Sequence, residues 1–247
     1  MTGDRKTVLI TGATDGIGHA LAEIYRARDV RLVLVGRRPL DSLKGALYSE
    51  ETYCEADLSR EDCTDQVRSF LSSREIISLD LAIQNAAVGY YGTVADQPVS
   101  SIHEIVAVNL LAPLRLTHAL VPYVNNARGK HVLIGSIAHA FPCPEFAVYA
   151  AAKEALDVFG RNLRVEGDVN VQVIHPGATQ TGIHRKSGWQ DDRSRAFPPA
   201  ERVARRIARA IDGHGSVVTI GLRNRWLRLC GRYFDGAIEA VMRWRAK

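Results

Sequence analysis

The chain has 247 residues, 46% hydrophobic and 24% charged, which suits one large soluble α/β domain with a substantial core. Its formal charge of +5 is gathered near the end of the chain, where Arg223, Arg225, Arg228, Arg232, Arg243, Arg245 and Lys247 face only Asp235 and Glu239. The main body is therefore nearly balanced, unlike a nucleic-acid-coating protein. Cys54, Cys63, Cys143 and Cys230 form no C-x-x-C pair and the histidines no H-x-x-x-H pair, which argues against a disulfide framework or a bound metal.

Charged Asp4, Arg5 and Lys6 lead straight into Val8-Leu9-Ile10, so no secretory signal is expected. No uninterrupted apolar run approaches the ~20 residues that span a bilayer, and the expected location is cytoplasmic, at most peripheral to a membrane. Val8–Thr11 reads as a first strand. Gly18–Arg28 follows as a helix with Ala20, Leu21, Ile24 and Tyr25 on one face. Arg31–Val35 and Thr52–Ala56 are the next strands, and Glu61–Ser73 is a helix facing inward through Val67, Phe70 and Leu71. Leu79–Gln84 is a fourth strand. Ser100–Val124 is a long helix in which Pro113 demands a kink or a break. His131–Gly135 is a strand, Tyr149–Arg164 a helix, and Val171–Ile174 and Val217–Ile220 are the last strands. This alternation implies an α/β fold: a doubly wound parallel sheet of Rossmann type, helices on both faces, one domain over residues 1–247. Ligands of such folds bind beyond the carboxyl ends of the strands.

The first strand ends in Thr11-Gly12-Ala13-Thr14-Asp15-Gly16-Ile17-Gly18, directly before a helix. Glycines there let the backbone approach a pyrophosphate, and the helix N-terminus offers it free N–H donors and a positive dipole end. The spacing Gly12, Gly16, Gly18 is not the common G-x-G-x-x-G, and by itself it also fits a ligand-free turn. At the end of the second strand, a carboxylate would select NAD through the ribose hydroxyls. Gly36, Arg37 and Arg38 stand there instead. Forked guanidinium groups bind a 2′-phosphate, which favours NADP(H), although two arginines opening a loop are often merely solvated.

Tyr149 and Lys153, four apart on one helix, lie on one face. An ammonium near a phenol favours the phenolate, which would make Tyr149 a general acid or base near neutral pH. Ser136 closes the fifth strand and is placed to hold the same substrate oxygen. A Y-x-x-x-K pair alone is frequent by chance. The glycine turn, the basic end of strand two, Ser136 and Tyr149/Lys153 nevertheless occur in one consistent order. In these motifs, from about Val8 to Thr181, the chain resembles the short, single-domain branch of the short-chain dehydrogenase/reductase family.

The resemblance implies more. Asp57 and Leu58 would lie at the adenine end. Asn85 and Ala86 would stand behind the cofactor in a segment where Ala87 replaces the usual glycine. Pro176, Gly177, Thr179 and Thr181 would contact the nicotinamide amide and ribose, with Thr14, Asp15 and Ile17 joining the glycines around the phosphates. Asn109 would hold a water that relays protons from Lys153. The implied activity is the NADPH-dependent interconversion of a ketone and a secondary alcohol, with Tyr149 as proton donor, Lys153 on the nicotinamide ribose and Ser136 orienting the substrate.

The loop Ala138–Ala147, with Phe141, Pro142, Pro144 and Phe146, reads as an apolar wall. The stretch 182–200, with Trp189, Phe197, Arg185, Lys186, Arg193 and Arg195, reads as a substrate lid or as a solvated basic loop. The tail 221–247 sets Trp226, Leu227, Leu229, Tyr233, Phe234, Ile238, Val241, Met242 and Trp244 among arginines. That pattern fits an amphipathic helix at an anionic membrane surface, a cap on the core or a contact with a second subunit. A homodimer through the long helices is expected. The competing reading is a non-catalytic NADP-binding regulator or a membrane-associated scaffold, against which the presence of Asn109, Ser136, Tyr149 and Lys153 counts.

Overall fold

The computed structural model describes residues 5–189 and 196–245. Seven parallel strands form one sheet in the order β3-β2-β1-β4-β5-β6-β7. They are β1 Thr7–Thr11, β2 Arg31–Gly36, β3 Tyr53–Glu55, β4 Leu81–Gln84, β5 Lys130–Ile134, β6 Val171–His175 and β7 Val217–Thr219. All of β1 and β6 is buried, as expected where helices cover both faces of a parallel sheet.

Helices α1 (Gly16–Arg26) and α7 (Ala200–Asp212) cover one face, packing Leu21, Tyr25, Val203 and Ile207 with Val8, Ile10 and Leu34. On the other, α2 (Cys63–Ser73) and α4 (Ala112–Asn126) pack Val67, Leu71, Leu116, Leu120 and Val124 with Leu9, Val33, Val35 and Ala82. Helix α5 (Ala147–Glu166) lies along β5 and β6, where a Cβ on Gly160 would stand 2.5 Å from the Val173 side chain. The chain runs from β1 outward to β3, then returns to place β4 on the other side of β1. The order reverses between β1 and β4, which opens a crevice beyond their carboxyl ends.

Three features depart from the sequence reading. The long helix is divided into α3 (Val99–Val106), a π turn (Ala107–Leu111) and α4, with Pro113 in the first turn of α4, directly after the π turn. Helix α7 has no counterpart among the expected elements, although Ala200, Val203, Ala204, Ile207, Ala208 and Ile211 recur at helical spacing and are all buried. Finally, Val99–Asn126 is long and apolar enough, by length and composition, to cross a bilayer. Counting uninterrupted apolar runs passes over it because Arg115 and His118 punctuate the segment. Its apolar side rests on the sheet through Leu116, Leu120 and Val124.

His131, on β5, is fully buried, and neither ring nitrogen has a hydrogen-bond partner among the described residues. Burial pushes its pKa down to about 4. The folded-state value lies below that of an exposed imidazole, near 6.5, so the contribution is complete above that pH and is lost as pH falls toward 4. Lowering the pH from 7 to 4 should cost on the order of 3 kcal/mol at this group alone. Urea unfolding of the wild type and His131→Leu across that range measures it: the variant should show the shallower pH dependence, and equal slopes would refute the assignment.

Candidate active site

The crevice is a cleft of about 490 Å³ at the carboxyl ends of the strands. It is floored by the turn between β1 and α1. Gly12 and Gly16 adopt positive φ angles of 65° and 54°, a region open to glycine at little cost. The turn lies hard against the segment leaving β4. A Cβ on Gly12 would stand 2.8 Å from the Ala86 Cα, and one on Gly18 2.2 Å from the Gly12 carbonyl oxygen and 2.5 Å from Asn85 Nδ2. The Thr11 hydroxyl accepts from the Asn85 and Ala86 amides at 3.0 and 3.1 Å, and Asn85 Nδ2 donates to the Thr11 carbonyl at 3.1 Å.

Asp15 is the N-cap residue of α1, yet its carboxylate makes no capping bond. It accepts instead from Lys186 Nζ at 2.6 Å, on α6 (Gly182–Lys186). Burial opposes ionisation of Asp15, but Lys186 and the Gly16 amide outweigh it and hold the carboxyl below its usual range. The first N–H groups of α1 are thus left facing the cleft without a side-chain cap, as a bound pyrophosphate requires. With the close glycine packing, this makes the cleft a fit for a dinucleotide.

At the end of the cleft beyond β2 and β3, Arg37, Asp57 and Leu58 line its wall. Asp57 accepts from the amide and hydroxyl of Ser59 at 3.0 and 2.8 Å. Arg37 pairs with Glu104 of α3 at 2.8 Å, a partner that nothing in the local sequence announces. Arg38 turns away and donates to the Ser42 carbonyl at 3.0 Å.

At the other end, Ser136, Tyr149 and Lys153 meet. Ser136 follows β5 and caps the 3-10 turn Ile137–His139, its hydroxyl accepting from the Ala138 amide at 3.2 Å. The Tyr149 phenol sits in the first turn of α5, near enough to that hydroxyl for Ser136 to pull its pKa down. One turn on, the buried Lys153 donates to the Ile134 carbonyl at 2.8 Å, with its ammonium 5.8 Å from the centre of the tyrosine ring. Burial pushes the phenol up to about 12, against the pull of Ser136, and the same cause pushes Lys153 down to about 8. The expected lowering of the phenol by the ammonium is therefore not what this arrangement shows: in the dry cleft both groups shift toward neutrality.

Of the residues expected around the cofactor and the reacting atoms, all line this cleft except Gly18, Arg38 and Asn109. Gly18 packs beneath it. Asn109 is fully buried in the π turn and grips the main chain of Val88: its Oδ1 accepts from the Val88 amide and its Nδ2 donates to the carbonyl, both at 2.8 Å. Pro176, Gly177, Thr179 and Thr181 follow β6 along the cleft wall. Beside Tyr149, Trp189 gathers Tyr91, Phe146, His184 and Phe197, with ring centres 4.8–6.4 Å away. Of the basic residues expected in the lid, Arg193 and Arg195 lie outside the described residues, whereas Lys186 ties α6 to the glycine turn.

A cluster that sequence spacing concealed lies behind the site. His139, Asp157 and His175 bring their polar atoms within 4.8 Å of one another. His175 donates to Asp157 at 2.8 Å and stacks on His139 at 4.2 Å, and His139 donates in turn to Glu154 at 2.6 Å. Arg228, from α8 (Leu222–Arg245), lies 3.6 Å from Asp157 and donates to His139 Nε2 at 3.3 Å. Burial disfavours the Asp157 anion, but His175, His139 and Arg228 outweigh it and bring its pKa down to about 2. The Arg228 guanidinium and the Asp157–His175 pair brace this cluster against α8.

The family model of short chain dehydrogenases matches residues 6–192. A dehydrogenase/reductase SDR family member 7B from Xenopus tropicalis is 31% identical over 227 residues, covering 83% of this chain and 73% of that protein. A short-chain dehydrogenase from Sphingobium yanoikuyae in complex with NADPH superposes with a TM-score of 0.78 at 29% identity, over 96% of this chain and 95% of that one. The fold is shared at 21% identity and a TM-score of 0.76 with a family member from Burkholderia phymatum in complex with NAD, over 93% of this chain and 94% of that one. The chain belongs to the short-chain dehydrogenase/reductase family, and is an oxidoreductase of that class.

Gly18→Ala should lower stability by about 1–3 kcal/mol, because the added methyl meets main chain that cannot yield. Thermal unfolding would detect this, and an unchanged midpoint would show that the β1 turn and the β4 segment separate readily.

Proposed function

We propose that this chain reduces a hydrophobic ketone to a secondary alcohol, with NADPH as the preferred cofactor. The observation that carries this reading is the convergence of Ser136, Tyr149 and Lys153 in the cleft that the glycine turn and Arg37 also line. When bound, the reduced nicotinamide would supply the hydride to the carbonyl carbon.

The residues of the chain do the rest. Ser136 and Tyr149 hydrogen-bond the carbonyl oxygen, and Tyr149, held protonated by burial, gives up its proton as charge builds there. The nearby Lys153, when charged, stabilises the phenolate left behind, while its bond to the Ile134 carbonyl fixes its direction. The uncapped start of α1 holds the pyrophosphate, and Asp57 with Leu58 borders the adenine. Asn109 holds Val88, hence the Asn85–Val88 wall behind the nicotinamide, in place. The aromatic group around Trp189 and Phe146 excludes water and favours an apolar substrate.

Tyr149→Phe should abolish turnover on a panel of ketones and leave the Kd for NADPH within a few-fold of wild type. Retained turnover would remove Tyr149 from the chemistry, and retained cellular function without turnover would favour a binding protein over an enzyme. For cofactor choice, Arg37 must leave Glu104 to meet a 2′-phosphate. Arg37→Ala should then weaken NADPH by about 10- to 100-fold, the worth of a charge-assisted bond, with little change for NADH. Equal losses for both cofactors, read by fluorescence titration, would overturn the preference.

A further inference from the structure

Helix α8 carries an apolar face that no described residue covers. Leu222, Trp226, Leu229 and Tyr233 recur at i, i+4, i+7 and i+11, which places them in one stripe along the helix. All four are exposed, at 75%, 67%, 49% and 68%. Past the kink at Phe234, which is itself exposed, Val241 and Trp244 extend the apolar surface at 52% and 77% exposure. Lone exposed apolar residues need no explanation, but an aromatic-rich row of them does.

The opposite face of α8 is firmly seated. A Cβ on Gly231 would stand 1.6 Å from the Ala140 carbonyl oxygen, and one on Gly177 2.3 Å from Asn224 Nδ2. Arg228 reaches inward to Asp157 and His139. The helix therefore has a fixed rotation, and its outward stripe is not the surplus face of a mobile tail.

The charges indicate what covers it. Arg223, Arg225 and Arg232 flank the stripe, are exposed, and have no acidic partner among the described residues. No acidic residue occurs from Leu222 to Phe234. A second copy docked stripe to stripe would bring arginines against arginines. A surface that is apolar below and anionic at its rim would satisfy both features, with tryptophan and tyrosine at the level where they favour a bilayer interface.

We propose that α8 docks in the plane of an anionic lipid surface, inserting Leu222, Trp226, Leu229 and Tyr233 and setting Arg223, Arg225 and Arg232 against the headgroups. Gly231 packs on Ala140 and Phe141, and Phe141 lines the cleft, so the lipid-bound helix borders the substrate wall directly. Resting on the reductase reading above, this placement specifies the substrate further, as an apolar carbonyl compound dissolved in the lipid phase.

The test is flotation of the full chain with vesicles of phosphatidylcholine alone and of phosphatidylcholine with phosphatidylserine. The wild type should float with the anionic vesicles, less so as salt rises, and poorly with the neutral ones. Arg225→Gln with Arg232→Gln should reduce partitioning by about 25-fold, given roughly fivefold for each cation at an anionic surface. Trp226→Ser with Tyr233→Ser should reduce it at least as much, with thermal midpoints unchanged in both variants. Absence of flotation with anionic vesicles would overturn the docking, as would variants that float like the wild type. So would a dimer in solution that Trp226→Ser with Tyr233→Ser converts to monomer, which would assign the stripe to a second copy. None of these readouts uses turnover, so a failed reductase assignment and a failed docking surface are told apart.

Discussion

The turn after β1 and the segment after β4 touch main chain to main chain, and the geometry of the cleft follows from that contact. Glycine at positions 12 and 18 permits it, and the hydroxyl of Thr11 and the amide of Asn85 lock it. Were these two segments a side chain further apart, the start of α1 would no longer face the same space as the ends of β4 and β5. Ser136, Tyr149 and Lys153 would then lie in a separate pocket from the glycine turn. Asn109 extends the constraint: from the middle of a helix it fixes Val88, so the wall behind the cleft is tied both to β1 and to the helical layer.

The second determinant is dryness. Tyr149 and Lys153 lie where burial governs their protonation, and it moves them in opposite directions, each toward its uncharged form. A tyrosine kept protonated is suited to donating a proton rather than accepting one. A lysine poised near pH 8 changes its charge with small changes in what surrounds it. Trp189, Phe146 and Phe197 form an aromatic group along the same cleft.

Much of this was legible in the sequence because parallel strands buried on both faces leave unbroken apolar runs, and glycine-rich turns stand out beside them. The strand framework and the order of Gly12, Arg37, Ser136, Tyr149 and Lys153 follow from those signals. What stayed hidden was long-range. Glu104 meets Arg37 across 67 positions and Asp157 meets Arg228 across 71, and no local pattern encodes either pairing. Arg37 and Arg38 read alike in the chain, yet only the first points into the cleft. Helix α7 is encoded plainly, with apolar residues at regular helical spacing between exposed arginines.

The π turn at Ala107–Leu111 also records how the chain is counted. Such a turn is an α-helix carrying one residue more than its ladder needs, and the surplus rotates everything on one side of it by roughly 100° relative to the other. Here that rotation lets α3 and α4 present unrelated faces while Asn109 points at Val88. Losing one residue of the five other than Asn109 would let the turn relax toward ordinary helix. The phase of α3 would change, however, carrying Glu104 away from Arg37 and Asn109 from the wall it holds. Length within this segment is thus a functional variable in its own right, one that substitution profiles do not register and that a single deleted codon would reveal.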